Sequence, residues 1–295
     1  MQNNVETQYL NILKDMIEMG EERVTRNGTT LSKFFKTISF DMKDGFPLLT
    51  TKKMFWKGVV EELLFFIRGD TDTTKLSEKG IRIWESNTSR EFLDKMNLNY
   101  NVGDMGPMYG YQWRYFNKMY NSNEDTLDIS SAKLTGIDQL EKVVQEIKSD
   151  PHSRRIMMTT FNPSQVNEGV LYPCHSIVIQ FYVENNRLSC TMYQRSCDLF
   201  LGCPFNIAST SLLLHIISQL TNMEPGIVNI VFGDYHIYAE HIDMVKIQIE
   251  REPYKLCKLK MKDFKNLKEV EMSSYEDYML VDYIAHPAIK AHMIA

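Results

Sequence analysis

Long apolar runs, paired cysteines and a basic surplus are all missing from this 295-residue chain. Its longest apolar stretches, such as SLLLHIISQL at 211–220, are interrupted by polar residues and too short to cross a bilayer, so no membrane partner is expected. Five cysteines (Cys174, Cys190, Cys197, Cys203 and Cys257) make an odd set without a C-x-x-C pair. That excludes a disulfide framework and offers no metal-ligand spacing, so free thiols and no metal are expected. Glycine (14) and proline (9) are sparse, and neither a linker nor a fixed-period repeat divides the chain. Fibrous and low-complexity classes fall away, and one α+β domain over residues 1–295 is expected. Lys and Arg number 33 against 38 Asp and Glu, a formal charge of −5. General nucleic-acid binding needs the opposite sign, so any anion site must be local. The opening MQNNVETQYL has neither the basic flank nor the apolar run of a secretory leader, which points to a cytoplasmic product.

What is present is core material: 43% hydrophobic residues, 11% of all residues being aromatic. Leu10, Leu13, Met16 and Ile17 form one apolar stripe that predicts a helix stopping at Gly20. The run ERVTRNGTTLSKF reads as a polar loop, and SKFFKTISFDM as a strand. Gly58 to Ile67 is apolar almost all round, the pattern of a buried helix, and carries Glu61 and Glu62 about 100° apart. Residues 116–134 read as an exposed surface insertion. Ile137, Leu140, Val143, Val144 and Ile147 mark a helical face ended by Asp150-Pro151. SIVIQFYV and RLSCTMYQ flank Glu184-Asn185-Asn186 as a hairpin; a helix from Ala208 to Leu220, the strand IVNIVFGDYHIY and a helix ending near Glu250 follow. The tail HPAIKAHMIA is apolar enough to dock on the body.

Two kinds of residue carry potential chemistry. Cys174, in LYPCHS, stands at the mouth of the hairpin; a buried inert thiol is the ordinary fate of a free cysteine. His175 beside it points to the opposite face of an extended chain and is no obvious base. Arg26, Arg154-Arg155 and Arg195-Ser196 are separate clusters whose planar donors suit a phosphate, although each alone reads as a surface residue.

The segment YQRSCDLFLGCPFNIAS, with YPCH upstream, closely resembles the signature of the thymidylate synthase family. The resemblance runs in family order from Tyr9 to Lys290 through DGFPLLTTKK, FWKGVVEELLFFIRGDT, DMGPMYGYQWR, SDPHSRRI, GDYHIY and HPAIK. It implies a large mixed β-sheet covered by helices, a sheet-mediated homodimer, and reductive methylation of dUMP by 5,10-methylenetetrahydrofolate, giving dTMP and dihydrofolate. Met1 and the family-like end lead us to expect a complete chain.

By the same resemblance, Cys174 is the nucleophile at uracil C6, and Arg195 both contacts phosphate and lowers the thiol pKa. Glu62 organises proton transfer, Tyr109 assists removal of the C5 proton, and Asp198 helps to hold folate and the base site. Asn206 reads uracil, because its amide complements O4 and N3–H. Arg26, Arg154, Arg155, Arg195 and Ser196 match the phosphate set, with Arg154 and Arg155 reaching across from the partner. His236 and Tyr238 match the pair that binds the deoxyribose hydroxyl, and His175 lies near the pyrimidine. Phe55, Ile83, Trp84, Asn87 and Gly202 resemble the folate pocket. The chain departs from the family pattern in a shortened RNGTT loop, Phe65 and Phe161 in place of tryptophans, and the ending HMIA. A dUMP hydroxymethylase and a non-catalytic nucleotide- or RNA-binding relative are the alternatives.

Overall fold

A computed structural model describes residues 4–121 and 136–294. In chain order the helices are α1 (Asn4–Met19), α2 (Trp56–Arg68), α3 (Thr74–Ser77), α4 (Arg90–Lys95), α5 (Gly110–Tyr115), α6 (Gln139–Ser149), α7 (Gly202–Leu220), α8 (Ile242–Ile249) and α9 (Leu267–Glu271). The strands are β1 (Glu21–Thr25), β2 (Gly28–Asp41), β3 (Met157–Thr159), β4 (Val178–Glu184), β5 (Arg187–Asp198), β6 (Glu224–Tyr238), β7 (Lys258–Met261) and β8 (Tyr278–Val281).

Six strands form a mixed sheet in the order β1-β2-β6-β5-β4-β3, and β7 pairs with β8 separately. Asn185 and Asn186 both take positive φ (50° and 60°), the geometry of a tight two-residue hairpin, and so join β4 to β5. From β5 the chain crosses over through α7 and returns as β6 parallel to β5, whereas the other neighbours pair antiparallel. α7 is apolar nearly all round, as its position against β5, β6 and α2 requires. Facing it are Ile179, Phe181, Met192, Val228, Ile230 and Phe232 of the sheet, all buried.

Four expectations change. The ERVTRNGTTLSKF segment is a hairpin rather than a loop, with β1 and β2 joined at Arg26-Asn27; its mostly polar opening is an edge strand exposed on both faces. α7 begins at Gly202 instead of Ala208, because Cys203, Pro204 and Asn206 already fit its first turn, Pro being tolerated there. Ile137 lies outside the apolar face of α6: it precedes the Asp138 N-cap, is 53% exposed and bridges to Phe116. Most of the expected insertion at 116–134 lies outside the described residues. Its opening is not exposed throughout, since Lys118 is buried and the half-buried Tyr120 donates to Asp104 (2.5 Å).

The sheet changes course near its functional end. Pairing skips Phe35 on β2, Gly233 on β6 and Arg195 on β5 in one row. Phe35 takes φ 62°, and a Cβ on Gly233 would lie 2.8 Å from the Arg195 carbonyl. Such irregularities re-aim the residues beyond them. Here those residues are Ser196, Asp198, His236 and Tyr238.

Candidate active site

The C-terminal ends of parallel β5 and β6 form one wall of a cleft, as expected where parallel strands end together. Asp198 pairs with His236, and Ser196 with Asp234. The β1–β2 turn reaches the same place, because Thr30 pairs with Tyr238. Asn27 hydrogen-bonds the Tyr238 hydroxyl and the Arg26 charge acts on it, so the shortened loop still delivers Arg26. His236 Nδ1 lies 2.7 Å from Asp234, and its ring meets Tyr238 edge-on at 5.3 Å.

Cys174 lies beside the end of β5, where its carbonyl accepts from the Ser196 amide (3.3 Å). The Tyr109 hydroxyl is 3.3 Å from Cys174 Sγ and also accepts from the Cys174 amide (3.2 Å). Tyr109 holds an uncommon backbone conformation (φ 40°, ψ −101°) immediately before α5. The packing around it fixes this: its ring stacks on His175 (4.4 Å) and Phe66 (5.1 Å). Next to it, a Cβ on Gly110 would come within 2.3 Å of the Phe66 carbonyl, so α5 can approach α2 this closely only with glycine there.

Burial raises the Cys174 thiol pKa, while the Tyr109 hydrogen bond and the Arg195 charge oppose the rise. The expected lowering by Arg195 is present, but within one chain burial outweighs it. Arg195 donates to the Pro173 carbonyl (3.0 Å), which seats it under the Cys174 loop while leaving the residue exposed. Burial likewise lowers His175 to about 4, so its imidazole is neutral.

Across the cleft α2 presents its two carboxylates differently. Glu61 is buried and satisfied by Lys79 (2.5 Å) and the Tyr275 amide (3.0 Å). Glu62 accepts from the Trp84 indole (2.9 Å), and burial raises it to about 7. A carboxyl poised near neutrality suits proton transfer. Trp84 lies 6.0 Å from Tyr109, ring to ring, which links this wall to the thiol.

Asn206 and Gly202 lie on the first turns of α7. Asp198 accepts from the Phe200 (2.9 Å) and Leu201 (3.2 Å) amides and so shapes the entry to that helix. Gly202 lies between Asp198 and Asn206; an added Cβ would meet them only at ordinary van der Waals distance, 3.7 and 3.9 Å. Ile83 and Asn87 lie around Trp84, and Phe55, 46% exposed, packs on Gly58 at the start of α2. Asn87 is 3% exposed and its Nδ2 has no hydrogen-bond partner among the described residues, a buried donor that fits a polar heterocycle entering beside Trp84.

Arg154 and Arg155 are not brought to Cys174. They precede β3, where Phe181 bonds to Ile156, next to the Tyr182–Ser189 pair. Cys174 lies at Ser196, so the separation along β5 is about 23 Å.

Two further residues enter the site. Gln194 donates to Asn206 Oδ1 (2.8 Å) and leaves its own buried Oε1 unpaired among the described residues; its place in YQRS was the available signal. Lys52, in TTKK, is buried, donates to the Phe200 carbonyl and stands 3.7 Å over the Phe200 ring, and burial lowers its amine to about 7.

A thiol beside a phenol, an amide held in one orientation and a carboxyl raised to about 7 opposite them are, within an α+β fold, groups suited to nucleophilic and proton-transfer chemistry. The family model for thymidylate synthase matches residues 7–295. The chain is 45% identical to the thymidylate synthase of Saccharomyces cerevisiae, covering 99% of this chain and 97% of that one. It is 44% identical to thymidylate synthase 1/2 of Encephalitozoon cuniculi (98% and 97%) and to the human thymidylate synthase (98% and 90%). The chain belongs to the thymidylate synthase family.

Proposed function

We propose that this chain methylates dUMP to dTMP with 5,10-methylenetetrahydrofolate, through attack of Cys174 on uracil C6. The observation that carries the reading is the placement of Cys174 Sγ 3.3 Å from the Tyr109 hydroxyl, in a cleft that also holds Asn206 and Glu62. C5 of uracil becomes nucleophilic only after C6 is attacked: the C6–S bond forms, the C5=C6 electrons move onto O4, and later elimination returns the thiolate. Asn206, fixed by Gln194, reads O4 and N3–H. Tyr109 and Glu62 move protons at C5 and O4, and His175 remains a neutral stacking surface beneath Tyr109. Arg26, Arg195 and Ser196 bind phosphate; His236 and Tyr238 bind the sugar hydroxyl. Phe55, Ile83, Trp84, Asn87, Asp198 and Gly202 hold the folate, which supplies the one-carbon unit and the hydride.

The phosphate site is completed by Arg154 and Arg155 of a second copy in a homodimer. Two observations support this. The pair stands about 23 Å from its own cleft, and the sheet face opposite α7 exposes Met157 (46%), Tyr182 (63%), Tyr193 (37%) and Ile227 (38%). Docking that face against its copy buries the patch and adds cations beside the thiol, in the direction that lowers its pKa.

The test is tritium release from [5-³H]dUMP followed together with dihydrofolate absorbance. Matched signals are expected. Tritium release without dihydrofolate would assign hydroxymethylation instead, and neither signal from folded protein would refute both.

A further inference from the structure

Behind the thiol, three side-chain amides are buried together: Gln112 on α5, and Asn162 and Gln165 in the segment that leads from β3 to Cys174. Gln112 Nε2 donates to the Pro107 carbonyl (2.8 Å) and to Gln165 Oε1 (3.1 Å). Asn162 Nδ2 donates to Gln165 Oε1 (2.9 Å) and to Gln112 Oε1 (3.4 Å). Backbone groups settle which way the outer two point: Asn162 Oδ1 accepts from the Ser164 amide (3.2 Å), and Gln165 Nε2 donates to the Lys118 carbonyl (2.7 Å). With those ends fixed, Gln112 turns its nitrogen toward Pro107 and its oxygen toward Asn162. Apolar side chains would fill the same space with no hydrogen bonds to satisfy. What the amides add is direction.

Gln112 is thereby tied to both sides of the contact between Tyr109 and Cys174. The Pro107 carbonyl belongs to the turn that delivers Tyr109 in its uncommon conformation, which persists only where the surroundings impose it. Asn162 and Gln165 belong to the segment that returns to Pro173 and Cys174. The two segments meet directly. The Val170 amide donates to the Met105 carbonyl (3.1 Å), and a Cβ on Gly169 would lie 2.5 Å from the Met108 side chain. Met108, Gln112, Gln165 and Pro173 border one space of about 10 Å³, room for one water at most. The reach of Gln112 to the Tyr109 hydroxyl runs through the backbone of Pro107 and Met108.

We infer that Gln112 is a positioning residue: by holding the Pro107 carbonyl it keeps the Tyr109 hydroxyl within reach of both Cys174 Sγ and the proton on C5 of the pyrimidine. The inference rests on the dUMP reading above. Because Gln112 acts through Tyr109, removing either one has the same consequence at the thiol, and removing both adds nothing.

The experiment follows iodoacetamide alkylation of Cys174, the one cysteine that is not fully buried, against pH, together with dUMP turnover and affinity. It compares the wild type, Gln112→Met, Tyr109→Phe and the double variant. The Tyr109 hydrogen bond favours the Cys174 thiolate, so its loss moves the alkylation midpoint up by about 0.5–1 pH unit. Gln112→Met shows the same upward shift with Tyr109 still present, and the double variant shifts no further than either single one. Turnover falls about 10-fold in Gln112→Met, while dUMP affinity stays within about 2-fold of the wild type. A Gln112→Met midpoint equal to the wild type's overturns the proposal, as does a double variant whose shift is the sum of the two. A wild type that is alkylated normally and turns over no dUMP overturns the dUMP reading and the catalytic role of Gln112 with it. Normal turnover with an unmoved Gln112→Met midpoint overturns the positioning role alone. If Gln112→Met does not fold, Gln112→Asn, which keeps an amide but draws it back from Pro107, replaces it under the same criteria.

Discussion

Two buried polar clusters flank the Asp198–Leu201 segment, and they are finished differently. On one side Glu6 of α1, fully buried, accepts from the amides and hydroxyls of Thr50 and Thr51 at 2.6–2.9 Å. Gln248 donates to the Thr51 hydroxyl (2.9 Å), its Oε1 being the one atom of this cluster without a hydrogen-bond partner among the described residues, and one turn along α1 the Tyr9 hydroxyl donates to the Leu199 carbonyl (2.8 Å). On the other side the Cys174 cluster has a strained Tyr109, a raised Glu62, an unpaired Asn87 Nδ2 and an unpaired Gln194 Oε1. Buried polar groups are normally satisfied. The closed cluster spends its hydrogen bonds on holding the loops that carry the site, and the open cluster keeps them for a ligand. Stability and reactivity are therefore assigned to different residues of the same neighbourhood.

The largest test of that division is Cys174→Ala. Turnover is expected to fall by at least ~10⁴-fold while the urea midpoint stays near wild type and dUMP still binds. A residual rate close to wild type would remove Cys174 from the nucleophile's role. Glu6→Ala should behave in the opposite way. It leaves two amides and two hydroxyls without their acceptor, a loss of about 3–5 kcal/mol in urea unfolding, with the rate per folded molecule kept within about 3-fold. If activity collapses while stability holds, the closed cluster is part of the chemistry and the comparison fails. Asn206→Asp comes next: it is expected to lower kcat/KM for dUMP roughly 100-fold and to raise that for dCMP, because the carboxylate loses the donor to uracil O4 and gains an acceptor for the cytosine amine. Unchanged preference in competition assays would take base reading away from Asn206.

The open cluster was largely legible in the sequence, since its residues sit in motifs whose chemistry is explicit: YPCH, QRS, the FN of α7 and GDYHIY. The long helices and the β4–β5 hairpin were legible as well, from apolar spacing and from Asn185-Asn186. What the sequence did not carry was cross-chain satisfaction. Nothing local marks Glu6 as the partner of Thr50 and Thr51, 44 and 45 residues away, and a glutamate on α1 reads as solvated. Nor does an arginine motif reveal distance: Arg154-Arg155 and Arg195-Ser196 read as separate clusters that each suit a phosphate, and only strand register shows how far the first pair stands from its own Cys174. The β1–β2 hairpin was missed because both faces of β1 are exposed, so EERVT carries no apolar alternation to mark a strand.

The smallest expected effect measures what the open cluster costs. Glu62 keeps its proton up to about 7 in the folded chain, whereas a glutamate in the unfolded chain loses it near ~4.3. Between those values the folded state holds more protons than the unfolded one, so stability is fully present below about pH 4, declines as pH rises, and is lost above about pH 7. The shift corresponds to roughly 4 kcal/mol at most, and water reaching the half-buried carboxyl reduces this to about 1–2 kcal/mol. Gln at position 62 keeps the shape and cannot ionise. Glu62→Gln and the wild type are therefore expected to unfold alike at pH 4.5, and the variant to be more stable by that amount at pH 8. His175, lowered to about 4, loses its contribution in the other direction, as pH falls from ~6.5, and it cancels in the difference between the two proteins. Equal urea midpoints at pH 8 would mean that the Glu62 carboxylate is already paid for by solvent or a hydrogen bond, and the contrast between a stabilising cluster and a destabilised reactive one would then rest on Tyr109 and the unpaired amides alone.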